Sequence, residues 1–360
     1  MPLAAHPSFI KDVMTNQVKA FASQEAADAL KDAILEHPDF ALMKDSGLYL
    51  SSVRGSAPEE MFSSAWSEKI PVVKQSDRAY SAALDTVRVK SFEMYAAELK
   101  AAGVTDEKTF SDIAHWINRA TGRGEGKIVD ALAPVLNVPL FSPRLTASRF
   151  QVLNPVFYMR MSPAARRIAV REMGRATGTV SATVCLAVLA GAHTSLDPRN
   201  ANFGKIVVGN THLDIGAGEL QAVRYVAQMT DAFAREAKGE KLDAKWTPTA
   251  ITQRFVRSKL GPIPSYLMDA KTGKDYSSNP VEWKRRALQM AVPFVVNDLY
   301  GGWKDSGAWG ALKALPAVLG VGVNTYQEKP ARGARFGSGR SHSYTNSEPQ
   351  DAGGPTAARP

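Results

Sequence analysis

Apolar positions recur at helical spacing along most of the chain. In 1–45, Ser23-Gln24-Glu25 fits a helix start, Ala26, Ala27, Leu30, Ile34 and Leu35 follow on one face, and Pro38 interrupts or ends the run. Ser46 to Val73 reads as irregular. Gly47, Gly55, Pro58 and Pro71 punctuate it, Pro58-Glu59-Glu60 opens a short helix, and Leu48, Tyr49, Phe62 and Trp66 suggest an extended arm packed against something. Ser76-Asp77 is expected to cap a long helix reaching about Ala102, with Tyr80, Leu84, Val87, Phe92, Tyr95 and Leu99 inward and Gly103 at its end. Thr105-Asp106-Glu107-Lys108 starts the next, which carries Phe110, Ile113, Ala114, Trp116 and Ile117 and stops at Thr121-Gly122. Further helices are expected over Lys127 to Leu136, within Leu145 to Leu153, and from Pro163 onward.

Two stretches break this pattern. Ala176 to Leu196 carries no charged residue, yet its Gly, Ala, Ser and Thr content makes it only weakly apolar, so a buried central helix is expected rather than a membrane span. Ala314 to Tyr326 is apolar but too short to span alone. Within 204–215, Gly204 to Val208 and Thr211 to Ile215 read as two short strands joined by Gly209-Asn210, a two-residue hairpin turn in which glycine accepts positive φ. Beyond it, Glu219 to Ala237 is amphipathic with Leu220, Val223, Val226, Ala227 and Phe233 inward. Thr247-Pro248-Thr249 starts a helix holding Ile251, Phe255 and Val256, closed by Pro262 and Pro264. Helices from Val281 to about Met290 and from Asn297 to Lys313 complete the pattern, and Gln327 to Pro360, rich in Gly, Ser, Pro and Arg, is expected to be disordered. The fold class is mainly α: an N-terminal helix and extended arm over 1–75, a helical core domain over 76–326 with one short central hairpin, and a disordered tail over 327–360.

Composition adds three constraints. A chain of 360 residues with 44% hydrophobic and 22% charged residues can bury a sizeable core. Its net charge of +9 and pI near 9.5 permit contact with nucleic acid or an anionic membrane. Cys185 is the single cysteine, which excludes an internal disulfide framework and a cysteine-based zinc site, and its apolar setting suggests an inert buried thiol. The N-terminal MPLAAHPSFIKDV lacks the apolar core of a signal peptide, so cytoplasmic synthesis is expected.

Candidate chemistry is sparse. Gly122-Arg123-Gly124-Glu125-Gly126-Lys127 fits neither phosphate-loop nor dinucleotide spacing. It reads as a helix-to-helix turn whose backbone N–H groups, with Arg123, Lys127 and the next helix's N-terminus, are suited to a phosphate or an acidic side chain. Arg144 and Arg149 form either an anion clamp or, by preference, internal ties. Arg166, Arg167, Arg171 and Arg175 make a basic helical face suited to nucleic acid or lipid headgroups, or to plain solvation. His193, Ser195 and Asp197 are too close together to form a catalytic relay. His212 and Asp214 share a hairpin face but lack a third metal ligand, and Asp197-Pro198-Arg199 reads as a turn tying the central helix to the hairpin. No catalytic residue, metal site or cofactor is assigned.

Thr121-Gly122-Arg123-Gly124, Leu140 to Arg144 with Ser148-Arg149, Asn154-Pro155, and above all Asp197-Pro198-Arg199 followed by Phe203 to Ile206 with Gly209, Thr211, Asp214 and Gly218, carry a resemblance. Over roughly Lys44 to Tyr326 the chain resembles the large helical module of very long polyvalent proteins of tailed phages and other mobile elements, and of related phage structural or internal virion proteins. In that family Ser-Ser-Asp often follows the Asp-Pro-Arg, and Arg often follows the hairpin Thr; here Asn200-Ala201-Asn202 and His212 stand instead. Within the motifs, Asp197, Arg199, Gly204, Lys205, Gly209 and Asp214 are the expected structural positions. The resemblance implies a phage or prophage origin and a mostly helical fold. It further implies a non-enzymatic protein synthesised in the bacterial host cytoplasm, packaged in the virion, and delivered with the genome into the host envelope. Other virion proteins are the expected partners, with DNA or an anionic membrane as further candidates. Since the polyvalent proteins carry their enzymes in other domains, the chain is expected to be a stand-alone version of the module or a fragment. The competing readings are a nucleic-acid-associated basic module and an enzyme with an unrecognised site near the hairpin.

Overall fold

The computed structural model describes residues 7–51, 71–137, 139–140, 142–209, 211–216, 218–273, 281 and 322–325. The order is α1 (Pro7–Ala22), α2 (Gln24–Leu35), α3 (Phe40–Asp45), α4 (Pro71–Ala101), α5 (Glu107–Ala120), α6 (Lys127–Leu136), α7 (Pro143–Leu153), α8 (Pro155–Arg160) and α9 (Pro163–Leu189). The strands β1 (Ile206–Val208) and β2 (Thr211–Asp214) follow, then α10 (Glu219–Ala237), a 3-10 turn at Ala244–Trp246, α11 (Pro248–Ser258), α12 (Pro262–Thr272) and β3 (Gly322–Thr325). The mainly helical class with one short hairpin is therefore the observed fold.

Local chemistry explains most boundaries. Ser23 accepts the Ala26 N–H at the start of α2, Asp106 accepts that of Thr109 at the start of α5, and Ser162 accepts that of Ala165 beside Pro163. Two expected boundaries are corrected. The long helix begins at Pro71, so Ser76 and Asp77 lie inside α4; a proline at the first helical position lacks an N–H that would be unsatisfied there anyway. Pro262 and Pro264 do not close α11, because Pro262 opens α12 after Gly261. The expected elements at Pro58, Phe62 and Trp66, beyond Val281, and in the tail after Gln327 lie outside the described residues.

The main core forms where α4, α5 and the first half of α9 meet. Phe92, Tyr95, Ile113, Ala114, Ala165 and Ala169 are fully buried there, with Met43 and Leu50 closing one end. Each large apolar side chain so buried contributes on the order of 2 kcal/mol. Tyr95 and Trp116 pack edge to face at 5.8 Å. Helix α1 lies along α4, joined by Phe9, Val13 and Val87. Further on, Phe150 of α7, Tyr225 of α10 and Phe255 of α11 form a three-ring cluster with centroids 4.5–5.8 Å apart.

Helix α9 departs most from expectation. Its first half is packed, but the uncharged stretch from Ala176 is largely exposed and the helix ends at Leu189. Leu186 is 66% exposed, Leu189 83% and Leu196 82%, and Cys185 is exposed as well, so the buried central helix and buried thiol are overturned. Small residues are compatible with burial but do not require it. A similar correction applies to α10. Its inward positions are the small Ala222 and Ala232, whereas Val223, Val226 and Phe233 are exposed.

The hairpin pairs Ile206 with Leu213, Val207 with His212 and Val208 with Thr211. Gly209 at its turn has φ of +55°. The strands are shorter than expected, and β3 joins the free side of β2, pairing Leu213 with Val323 and giving the sheet order β1-β2-β3. Substituting Gly209→Val should destabilise the protein by about 1–2 kcal/mol, because a β-branched residue resists positive φ. Chemical unfolding of the variant checks this, and an unchanged midpoint would contradict the turn.

Candidate functional site

Helix α5 ends at Ala120 and hands over to a glycine-rich turn that is pressed against α7. At Gly124 the backbones approach so closely that a Cβ would lie 2.6 Å from the Arg144 carbonyl oxygen and 2.8 Å from the Ala147 Cβ. The Gly124 N–H donates to that same carbonyl at 3.0 Å. Gln151 grips the next residue from both sides: its Oε1 accepts the Glu125 N–H at 3.1 Å and its Nε2 donates to the Glu125 carbonyl at 2.6 Å. The turn is thereby fixed, and the Glu125 side chain is directed inward.

Three groups meet the Glu125 carboxylate. His115 Nδ1 lies 2.8 Å away, Asn118 Nδ2 donates at 2.5 Å, and Arg119 Nε stands at 3.7 Å. Asn118, itself fully buried, also donates to the Gly47 carbonyl and accepts the Tyr49 N–H, both at 2.9 Å. The hydrogen bond to Glu125 holds the His115 imidazole above its ordinary value, whereas burial pulls the Arg119 guanidinium down. The Arg123 guanidinium stacks on the Tyr49 ring at 3.3 Å, and the buried Arg88 lies 5.3 Å from the same ring.

These contacts shape a cleft of about 550 Å³ between the 44–50 segment and the α5–α6 turn. Lys44, Tyr49, His115, Arg123, Glu125 and Lys127 are in its walls. Of the expected anion-binding residues, only Arg123 and Lys127 are brought together here. Arg144 is a tie, donating to Asp130 at 2.6 Å and to the Gly124 carbonyl at 3.2 Å. Arg149 lies 4.0 Å from Glu219, at a different junction. The basic face of α9 is half neutralised. Arg171 forks onto Glu98 at 2.6 and 2.7 Å and reaches Glu172, which Arg175 also binds at 2.8 Å. Arg166 and Arg167 remain exposed.

The hairpin residues form a second, mainly structural cluster. Asp197 accepts the Arg199 N–H at 2.9 Å, and Arg199 pairs with Asp231 at 2.5 Å. The Pro198 carbonyl accepts Arg224 and Gln228, so the Asp-Pro-Arg turn is tied to α10 rather than to α9. His193 bridges to Val207 and Ser195 to Phe203 through the backbone, which joins the end of α9 to the sheet. Gly204 sits against Leu220. His212 contacts the Asn202 side chain at 2.7 Å rather than Asp214. Burial raises the Asp214 carboxyl and lowers the nearby Lys205 ammonium; burial beside Arg149 also brings Lys259 down to about 8. Among the described residues no group of three or more His, Cys, Asp or Glu side chains is placed to hold a metal ion.

Sequence reasoning missed Lys44, Tyr49, His115, Asn118 and Gln151 as partners of the glycine turn. Asn118 left one signal: it sits on the apolar stripe of α5 with Ala114 and Ile117, where a buried amide must find hydrogen-bond partners. Comparison with protein-family models, with curated proteins and with solved structures finds no match to the chain.

Two outcomes test this geometry. Asn118→Ala removes three hydrogen bonds from a buried site, and should cost about 3 kcal/mol and speed hydrogen exchange at the Tyr49 amide. Unchanged exchange there would show that the amide does not hold the segment. The His115–Glu125 pair should stabilise the fold fully below the unfolded imidazole value of 6.5 and lose that contribution as pH rises through the higher folded value. The difference in melting temperature between the wild type and His115→Gln should therefore narrow as pH rises above the ordinary imidazole value of 6.5. A gap that widens with pH would contradict the pairing.

Proposed function

We propose that the protein is a non-enzymatic, virion-associated phage protein, carried inside the particle and delivered with the genome, and that it docks on other virion proteins through the distal half of α9. The observation that carries this reading is the exposed, charge-free surface from Ala176 to Leu189 and on to Leu196. Leu186 and Leu189 stand in solvent on a helix whose first half is anchored in the core and braced by Glu98 and Glu172, and Leu196 is exposed in the segment that follows it. Contiguous exposed apolar surface on a rigid support is characteristic of protein or membrane interaction sites. Among the described residues no helix is long and apolar enough to cross a membrane. The motif resemblance supplies the phage setting. Synthesis in the host cytoplasm and delivery to the host envelope belong to the same proposal.

Cys185 reports on this surface directly, because it lies exposed within it. A polar maleimide should label Cys185 rapidly in the purified protein and slowly in intact particles. The double variant Leu186→Glu and Leu189→Glu should unfold like the wild type but fail to enter particles. Absence of the wild-type protein from purified particles would overturn the virion assignment. Normal incorporation of the double variant, with Cys185 equally reactive in particles, would overturn the docking surface.

A further inference from the structure

We infer that the cleft between α3 and the α5–α6 turn binds the phosphate groups of a nucleic-acid strand. The cleft, about 550 Å³, is large enough for a nucleotide-sized group. Its walls carry Lys44 from α3, Arg123 from the turn and Lys127 from α6, so cations enter from three segments. Two carboxylates also line it, but both are engaged within the fold: Glu125 by His115, Asn118 and Arg119, and Asp130 by Arg144 at 2.6 Å. The lysines are exposed, and neither is held in an ion pair among the described residues. Gly126 begins α6 with no side-chain cap, which adds the positive end of that helix to the same wall. Tyr49 lines the same cleft and carries the Arg123 guanidinium on its ring at 3.3 Å, which fixes that cation in the wall. The net charge of +9 favours approach of a polyanion. This site is built from other elements than the distal α9 surface, and the inference is independent of the assembly reading.

The test uses the full-length protein and a fluorescent single-stranded DNA of about 12 nucleotides, long enough to cover an ordinary strand-binding site. Anisotropy titrations compare the wild type with Lys44→Gln/Lys127→Gln and with a control, Arg166→Gln/Arg167→Gln, which removes the same charge from exposed positions on α9. All of these positions are exposed, and matching unfolding curves confirm intact folds. The lysine pair should weaken binding roughly fivefold or more and reduce the slope of log Kd against log salt by about 1.4, the value for two lost phosphate contacts on a single strand. The control should stay within about twofold of wild type, as charge acting only at long range is screened by salt. Equal losses in both variants would reduce the effect to general charge and overturn the site, as would no loss in the lysine variant. The same proteins are then tested with phosphatidylglycerol vesicles and with inorganic phosphate. A lysine-dependent signal with vesicles alone would make the ligand a lipid headgroup. A lysine-dependent thermal shift with inorganic phosphate, without DNA binding, would make it a small phosphate. Either result overturns the nucleic-acid assignment.

Discussion

A single buried amide connects parts of the chain that are far apart in sequence. Asn118 takes the Tyr49 N–H, gives one hydrogen to the Gly47 carbonyl and another to the Glu125 carboxylate. The segment after α3, the end of α5 and the turn into α6 are thereby held in one arrangement. An amide is suited to this because it offers donor and acceptor at once, so a backbone N–H, a backbone C=O and a carboxylate can all be satisfied without solvent. The surrounding core is apolar, and an unmet partner there would be expensive, which makes the arrangement all-or-none. The shape of the neighbouring cleft and the position of Glu125 follow from it.

The same economy governs the charges. Arginines at element junctions are mostly ties: Arg144 joins α7 to α6, Arg171 joins α9 to α4, and Arg199 joins the Asp-Pro-Arg turn to α10. Planar guanidinium groups suit such work because they hold carboxylates and carbonyls with fixed geometry. Among the described residues, the exposed arginines are Arg160, Arg166, Arg167, Arg175 and Arg254, and exposed lysines such as Lys44 and Lys127 add to that positive surface. Helix α9 divides accordingly. Its braced, packed first half gives way to a second half with neither charge nor cover, and the transition falls just after Arg175.

Much of the architecture was legible in the sequence wherever local chemistry decides it. The caps at Ser23 and Asp106, the proline start of α9, the limits of α6 and the Gly209 turn all depend on residues within a few positions of one another. What was not legible depends on distant surfaces. Periodicity identified α10 but not its inner face, because the closest approach is made by Ala222 and Ala232 and the larger side chains are turned out. Lack of charge identified the distal part of α9 as unusual, yet whether such a helix is covered depends on what the rest of the chain brings to it. The glycine run was readable as a turn, and Arg123 and Lys127 as candidate anion contacts. Lys44, Tyr49 and His115 complete that site from elsewhere, and no spacing rule relates them to it.

The placement of β3 has a consequence for how the chain is made. Strands β1 and β2 are neighbours in sequence and can pair as soon as both have left the ribosome, on the microsecond timescale of a hairpin. Their third partner, Gly322–Thr325, is encoded more than a hundred residues after Asp214. At ordinary synthesis rates of about 5–20 residues per second, β2 therefore waits on the order of ten seconds with one edge unpaired. During that interval the edge is a template for any extended segment, including the same strand of another nascent chain. Closing so long a loop also makes this pairing entropically costly, so it is a late event in folding. Strand β2 is short, four residues, which limits what can add to it in the meantime. Only a chain translated through Thr325 can pair both edges of this central strand.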